Sequence, residues 1–376
     1  MARTAQVVVV GAGLIGCGVA YELARRGAQV RVVDRREVGQ GATQASAGVL
    51  APYLSGHRDS PLTELGARSL ALYDEFVARV VEDSGCTVRY ARTGTLEVAT
   101  DEATLSRLGS MAGRCRTDGI EAQMLDIAAV HGTEAQLGDR VIGGLRVCPH
   151  GFIGAGDLVS ALRRAAGAHG VSFVTSTAVS KVTRTRQGLS VETASDSLSC
   201  DRVVLAAGSW SGQVELDGVE AVPVRPIRGQ LLYLGWPTNH LSQVVWAAQC
   251  YLVPWGDGSV LAGATIEDVG FDERATVAGV QELLHAARQI APSVGKSWFK
   301  TVRVGLRPRT PDELPIVGSS SRLPGLVYAT GHYRSGVLLA PLTAALVADL
   351  VLETDHEASD DPAIDMMTPS RFGDSL

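Results

Sequence analysis

The chain opens on a five-residue β-branched run, Gln6 to Val10, then Gly-Ala-Gly-Leu-Ile-Gly, a segment of helical period ending near Arg26-Gly27, and a second apolar run, Gln29 to Val33. Short β-branched runs predict strands and apolar recurrence every three or four residues predicts a helix, so the pattern predicts a βαβ opening. After a loop that starts at Gly39, the apolar positions Leu62, Leu65, Leu72, Phe76 and Val80 recur at mostly helical spacing and predict a long surface helix from Pro61 to Asp83. The middle reads as strands at Thr95 to Ala99, Val171 to Thr175, Leu189 to Thr193, Arg202 to Ala206, Gln230 to Leu234, Tyr251 to Pro254 and Ser259 to Thr265. One helix is expected to be capped by Asp157 and to run to about Gly167, another to lie near Ala275 to Ala291 before Pro292. The last third supplies a buried strand, Leu326 to Ala329, a Gly-His-Tyr-Arg-Ser-Gly turn, and an apolar helix from about Gly336 to Leu352.

Strand, glycine turn and helix thus recur at both ends, which predicts one nucleotide-binding sheet completed by the end of the chain. The expected division is discontinuous: 1–85, 150–215 and 305–376 form a dinucleotide-binding unit, while 86–149 and 216–304 form a substrate-binding unit. The fold class is α/β with an α+β second part, a Rossmann-like domain beside a mixed or antiparallel sheet.

Composition narrows the function classes. With 34 basic and 40 acidic residues the formal charge is −6, which argues against a nucleic-acid surface. Glycine stands out at 42 of 376 residues, against a usual share of about 7%. The six cysteines, Cys17, Cys86, Cys115, Cys148, Cys200 and Cys250, lie at least 29 residues apart with no metal-ligand spacing, so they read as buried reduced thiols. His57, His150 and His285 show no spacing that suggests a metal or a triad. The start, Met-Ala-Arg-Thr-Ala-Gln, lacks the succession of a signal peptide, and Val337 to Leu352 is too short and too interrupted to span a bilayer. A cytoplasmic protein without membrane or nucleic-acid partners is expected. Homo-oligomerisation is compatible with the sequence but carried by no motif.

Gly11-Ala12-Gly13-Leu14-Ile15-Gly16 fits G-x-G-x-x-G between a strand and a helix, and Asp34 ends the next strand 18 residues after Gly16. Gly11 suits the tight turn, Gly13 lets a pyrophosphate approach, and Gly16 lets helix and strand pack closely. The helix N-terminus offers free N–H groups to the phosphates, and Asp34 can accept from ribose hydroxyls. Arg35 and Arg36 read as solvent-facing charge, because Asp34 would repel a 2′-phosphate. The small-residue run from Gly39 to Val49, containing Ala42, Thr43, Ser46, Ala47 and Gly48, lets backbone approach a bulky ligand.

The Gly11 hexad, the Ala42-Thr43…Ser46-Ala47-Gly48 loop, Val203-Val204-Leu205-Ala206-Ala207-Gly208-Ser209-Trp210-Ser211, Gly305-Leu306-Arg307-Pro308 and Gly331-His332-Tyr333-Arg334-Ser335-Gly336 occur in this order. In this the chain resembles the D-amino-acid oxidase family of FAD-dependent amine oxidases, and within it the glycine oxidases of thiamine biosynthesis. The resemblance runs from Val7 to about Leu352. It implies FAD, a mixed-sheet lid over the flavin, and oxidation of a primary or secondary amine such as glycine, sarcosine or a small D-amino acid. It places cofactor contacts on Leu14, Ile15, Asp34, Arg35, Ala42, Thr43, Ala47, Gly48, Val49, Val179, and His332, Tyr333, Arg334, Ser335, Gly336, Val337 and Leu338. It also implies non-covalent FAD, since the cysteine that tethers flavin in the related sarcosine oxidases has no counterpart in the last third. The implied products are the imino or keto acid, ammonia and, with O2 as acceptor, hydrogen peroxide. A dehydrogenase passing electrons to a quinone or partner protein is the alternative, with a non-catalytic flavin-binding subunit behind it.

On the substrate side, hydride transfer to flavin N5 asks the protein mainly to hold the Cα–H against the ring. A carboxylate is the handle, and arginine grips it with two parallel bonds. Arg307, Arg309 and Arg334 are candidates, each beside a glycine or proline that breaks regular structure. The resemblance assigns the carboxylate to Arg307, shared with the Tyr251 hydroxyl, and makes Arg334 a second active-site arginine. Arg309 departs from glycine oxidases, which usually carry a small residue there: it either favours a larger acidic substrate or pairs with Asp312 or Glu313. His332 reads as a packing or backbone group rather than a base. Gln249, Trp246 and Trp255 leave pocket size and polarity open.

Overall fold

The structure is a computed structural model that describes residues 6–54, 60–236, 241–352, 361–373 and 376. Residues 1–5 and His57 lie outside them.

Five strands run parallel in the order Leu326–Thr330, Arg202–Leu205, Gln6–Val10, Gln29–Val33 and Ser172–Val174. Ile316–Ser319 adds an antiparallel edge beside Leu326–Thr330. The strands Leu326–Thr330, Arg202–Leu205 and Gln6–Val10 are apolar and buried at nearly every position because both faces are covered. Val7 and Val9 face helices Leu14–Arg25, Pro61–Ser84, Ala155–Ala168 and Ala340–Leu352, whereas Val8 and Val10 face a core shared with strands Val179–Thr185 and Gly188–Thr193 of a four-stranded sheet. The long helix is set by its start: the Ser60 hydroxyl accepts from Leu62 N–H and Pro61 fills the first helical position.

The third layer is an eight-stranded sheet in the order Trp298–Arg309, Arg225–Gly235, Ser259–Gly263, Tyr251–Trp255, Val244–Trp246, Thr95–Ala99, Gly143–Val147 and Ala122–Asp126. It is antiparallel except where Val244–Trp246 runs parallel to Thr95–Ala99. Strand alternation splits its side chains. Leu232, Leu234, Leu252 and Val260 pack with helix Val277–Ile290, while Leu231, Tyr251, Val253 and Leu261 face the opposite way.

Several elements differ from the pattern-based expectation. Trp298–Arg309 is a 12-residue strand with one register shift at Lys300, so Arg307 and Arg309 sit on a strand rather than beside a break. An edge strand tolerates Pro308, whose missing N–H leaves no ladder bond unmade; it lies opposite Pro226. The helix near residue 155 begins at Ala155, and Asp157 is in its first turn with its carboxylate 2.6 Å from Arg89 Nε rather than at the cap. The last apolar helix starts at Ala340, because residues 332–339 form turns. Helix Glu102–Thr117 was not among the expected elements, although its buried residues Leu108, Met111, Ala112 and Cys115 recur at helical spacing.

Cys17, Cys115, Cys200 and Cys250 are buried free thiols, and Cys86 and Cys148 are half-buried. Among the described residues no helix is long and apolar enough to cross a membrane.

Two glycines separate the fold's tight spots from its loose ones. A Cβ on Gly16 would lie 1.9 Å from the Gly11 carbonyl oxygen, whereas one on Gly109, on helix Glu102–Thr117, would meet nothing within 4 Å. Gly16→Ala is therefore expected to lower the thermal midpoint by several degrees, and Gly109→Ala to stabilise by about 0.5–1 kcal/mol. Thermal unfolding of the two variants checks both signs.

Candidate active site

A cavity of about 870 Å³ lies between the parallel sheet and the eight-stranded sheet. That is near the upper end of the range of about 300–1,000 Å³ for ligand pockets. One end is the glycine loop. Helix Leu14–Arg25 starts there with Gly13 at its cap and no side-chain cap bond, so its first-turn N–H groups and positive dipole end face the cavity. Asp34 pins the loop: its Oδ2 accepts from Ala12 N–H at 2.6 Å and its Oδ1 from Arg36 N–H at 2.7 Å. Burial raises the Asp34 pKa, and the two backbone donors work against that. Thr43 Oγ1 accepts from Leu14 N–H at 3.0 Å, and Ser46 Oγ from Gly48 N–H at 3.3 Å.

Beyond Asp34, Arg35 reaches Gln213 at 3.2 Å. Arg36 is not free in solvent as expected: it pairs with Glu273 at 2.6 Å and lies 4.4 Å from the Trp210 ring centroid. The segment after Thr265 comes back over this end, placing Phe271 against Trp210. No local sequence pattern foretells that crossing.

The other end is the inner face of the eight-stranded sheet. Tyr251 and Trp246 are direct neighbours across two strands and stack with ring centroids 4.9 Å apart. Arg307 lies flat over Gly229, where an added Cβ would fall 2.3 Å from Nη2. Its Nη1 donates to Thr265 O at 2.9 Å and Arg228 O at 3.4 Å. Among the described residues no carboxylate lies within ion-pair distance of it. Burial lowers the Arg307 pKa and pushes the Tyr251 hydroxyl up to about 12, partly countered by the Arg307 charge.

The turn after Leu326–Thr330 closes the cavity. His332 is buried with Nε2 3.0 Å from Thr343 Oγ1, and burial pushes its pKa down to about 3, so the ring is neutral. Tyr333 N–H donates to Pro308 O at 2.9 Å, which ties this turn to the Arg307 strand. Arg334 is half-exposed and stands 3.7 Å from Glu313, while Arg309 pairs with Glu313 at 2.7 Å.

Most of the sequence-derived positions meet around one cavity. Gly11, Gly13, Leu14, Ile15, Asp34, Arg35, Ala42, Thr43, Ser46, Ala47, Gly48, Val49, Val179, Tyr251, Arg307, His332, Tyr333, Arg334, Gly336 and Val337 line the cavity. Gly16, Ser335 and Leu338 do not. Gly16 is packed against Gly11, the Ser335 hydroxyl donates to His332 O at 2.9 Å, and Leu338 is buried among the helices. Arg309 also lies off the wall. Gln249 and Trp246 line it, while Trp255 packs edge-on against Phe152. The sequence reading missed Glu97 and Arg107, which pair at 3.3 Å on the same wall. They come together only because helix Glu102–Thr117 folds back on strand Thr95–Ala99.

The cavity suits a dinucleotide. A Cβ on Gly208, a wall residue, would meet no protein atom within 4 Å and would occupy the cavity itself; one on Gly13 would meet only Thr43 Oγ1, at 3.5 Å. Bare backbone and a helix N-terminus are thus turned toward the space where phosphates would sit, with an acid at one end and apolar strand surface at the other.

Comparison with known proteins agrees with this geometry. The FAD dependent oxidoreductase family DAO matches residues 6–350. Glycine oxidase of Geobacillus kaustophilus is 31% identical over 353 residues, covering 93% of this chain and 94% of that protein. Its crystal structure superposes with a TM-score of 0.87, over 93% of this chain and 95% of that one. Bifunctional protein ThiO/ThiG of Nostoc sp. is 34% identical over 355 residues, so the chain spans about half of that relative, 53% of its length, and 93% of itself. The crystal structure of iminodiacetate oxidase from Chelativorans sp. is 28% identical with a TM-score of 0.86, covering 92% of this chain and 95% of that one. With the family matched over nearly its whole length and a dinucleotide cradle in place, the chain belongs to the DAO family of FAD dependent oxidoreductases.

Proposed function

We propose that this protein catalyses oxidative deamination of glycine or a related small amine, sarcosine or a small D-amino acid, with O2 as electron acceptor. The observation that carries the reading is Arg307: a half-buried guanidinium with no acidic partner among the described residues, beside the Tyr251 hydroxyl, at the end of the cavity opposite the glycine loop. A cation drawn partly out of water with spare donors favours a ligand that supplies the counter-charge, and a substrate carboxylate supplies it. The glycine oxidase relatives support the same substrate class.

FAD, when bound, accepts the hydride and its electron pair from the substrate Cα. Gly11, Gly13, Leu14 and Ile15 would hold its pyrophosphate, Asp34 and Arg35 the ribose end, and Ala42, Thr43, Ser46, Ala47, Gly48, Val49 and the turn from His332 to Val337 its ring. Val179 would close the adenosine end. Arg307 and Tyr251 fix the carboxylate, and Arg334 adds a second positive group. Tyr251 keeps its proton and donates; His332, neutral and bonded to Thr343, acts in packing. The same reading divides the chain into the interleaved units 1–85, 150–215 and 305–376, and 86–149 and 216–304, with the cavity between them. It places the protein in the cytoplasm and leaves FAD non-covalent, as the sequence has no cysteine after Cys250.

Anaerobic mixing with glycine, sarcosine and D-alanine should bleach the flavin absorbance, and air should restore it with release of hydrogen peroxide; a flavin untouched by all three overturns the reading. Arg307→Ala should raise KM about 10- to 150-fold, the equivalent of a charge-assisted bond of about 1.5–3 kcal/mol, in steady-state assays. Because the Tyr251 hydroxyl titrates only near 12, acetate binding, read by flavin absorbance, should not weaken between about pH 7 and about pH 10 through loss of that proton. Acid precipitation should leave all the yellow colour in the supernatant.

A further inference from the structure

Arg309, Glu313 and Arg334 form a three-member set in which one carboxylate faces two guanidinium groups. Arg309 Nη2 meets Glu313 Oε1 at 2.7 Å, whereas Arg334 Nη2 stands 3.7 Å from Glu313 Oε2, beyond hydrogen-bond reach. Among the described residues Arg309 Nε is buried without a hydrogen-bond partner, and Glu313 is the acid that anchors this side chain. Both guanidinium groups flank the Tyr333 ring, 5.6 Å away for Arg309 and 5.1 Å for Arg334.

The backbone fixes the set. Arg309 bridges to His332, Tyr333 N–H donates to Pro308 O, and Glu313 N–H donates to Thr310 O at 3.2 Å. Glu313 and Tyr333 hold left-handed conformations, with φ of 63° and 47°, which non-glycine residues rarely adopt without such constraint. The neighbouring carboxylate cannot take over, because Asp312 is engaged by Arg371 at 2.7 Å.

Resting on the reading of Arg334 as a second active-site arginine, we propose that Arg309 is a positioning residue: it holds Glu313 at 2.7 Å, leaves Arg334 a looser ion pair at 3.7 Å, and so keeps Glu313 from taking the Arg334 hydrogen-bond donors that an acidic substrate group would use. Arg334 lines the cavity and Arg309 does not, so the added arginine at 309 acts through Glu313 rather than by touching substrate. Without it, Glu313 has one cation left to pair with, and the substrate carboxylate must compete with an attached acid for the same donors.

The test compares the holoenzyme with Arg309→Ala, Arg309→Lys, Glu313→Gln and the double variant Arg309→Ala/Glu313→Gln. Two readouts are taken: acetate affinity from flavin absorbance, and KM with kcat for glycine. Arg309→Ala should weaken acetate and raise KM about three- to fivefold, with kcat within about twofold, the size expected for a half-exposed ion pair. Arg309→Lys should stay near the parent, and the double variant should return to it, because Glu313→Gln removes the competing charge. Unchanged acetate affinity in Arg309→Ala overturns the proposal, and so does a double variant as weak as the single one, which would mark a merely structural loss. If no amine bleaches the flavin while the acetate series behaves as described, the proposed reaction fails and the role of Arg309 stands.

Discussion

A single half-buried carboxylate organises the dinucleotide end of this protein. Asp34 receives the Ala12 amide of the glycine loop and the Arg36 amide of its own loop, and so fixes the distance between the ends of the first two strands. With that distance set, helix Leu14–Arg25 must approach the sheet within the width of a bare backbone, and only glycine at position 16 permits it. The helix then presents its N–H groups to the cavity at a constant angle. The crossing segment ends on Arg36 and Trp210. The roof of that end is thereby tied to the residue next but one after Asp34.

The opposite end follows a different rule, that a charge can be kept in a half-dry place if backbone carbonyls share it. Arg307 has Thr265 O and Arg228 O but, among the described residues, no acid, while its neighbour Arg228 is neutralised by Glu267 and Asp272. Two arginines on adjacent strands thus have opposite fates. Arg228 is structural because its acids are at hand, and Arg307 remains chemically available because its acids are not.

Much of this was legible in the sequence, and the limits are physical. The βαβ opening and the glycine hexad were readable because both depend on contiguous residues whose spacing is the mechanism. The Arg307 and Arg334 motifs were readable as types, yet their placement on a strand and a turn was not. Trp298–Arg309 hides its strand character behind exposed Trp298 and Phe299, several charges and Pro308, all tolerable on an edge strand. Glu97 with Arg107 and Arg36 with Glu273 were invisible, because each pair is made by tertiary return of a segment rather than by any local period. Arg309 lay between these cases: its oddness was visible, and Glu313 rather than Asp312 proved to be its partner.

The order of strands in the parallel sheet also sets an order in time. Gln6–Val10 emerges first during synthesis, but its neighbour Arg202–Leu205 comes nearly 200 residues later, and Leu326–Thr330 later still. Pairings between such distant segments form late, since the chain between them must be closed into a loop before any contact is gained. Until then the first βαβ unit has one strand edge bare and its glycine loop without the Ala206 backbone that packs on Gly11. The cradle for the cofactor is therefore a product of nearly the whole chain, and a nascent fragment carrying the glycine hexad lacks the walls that would hold a flavin.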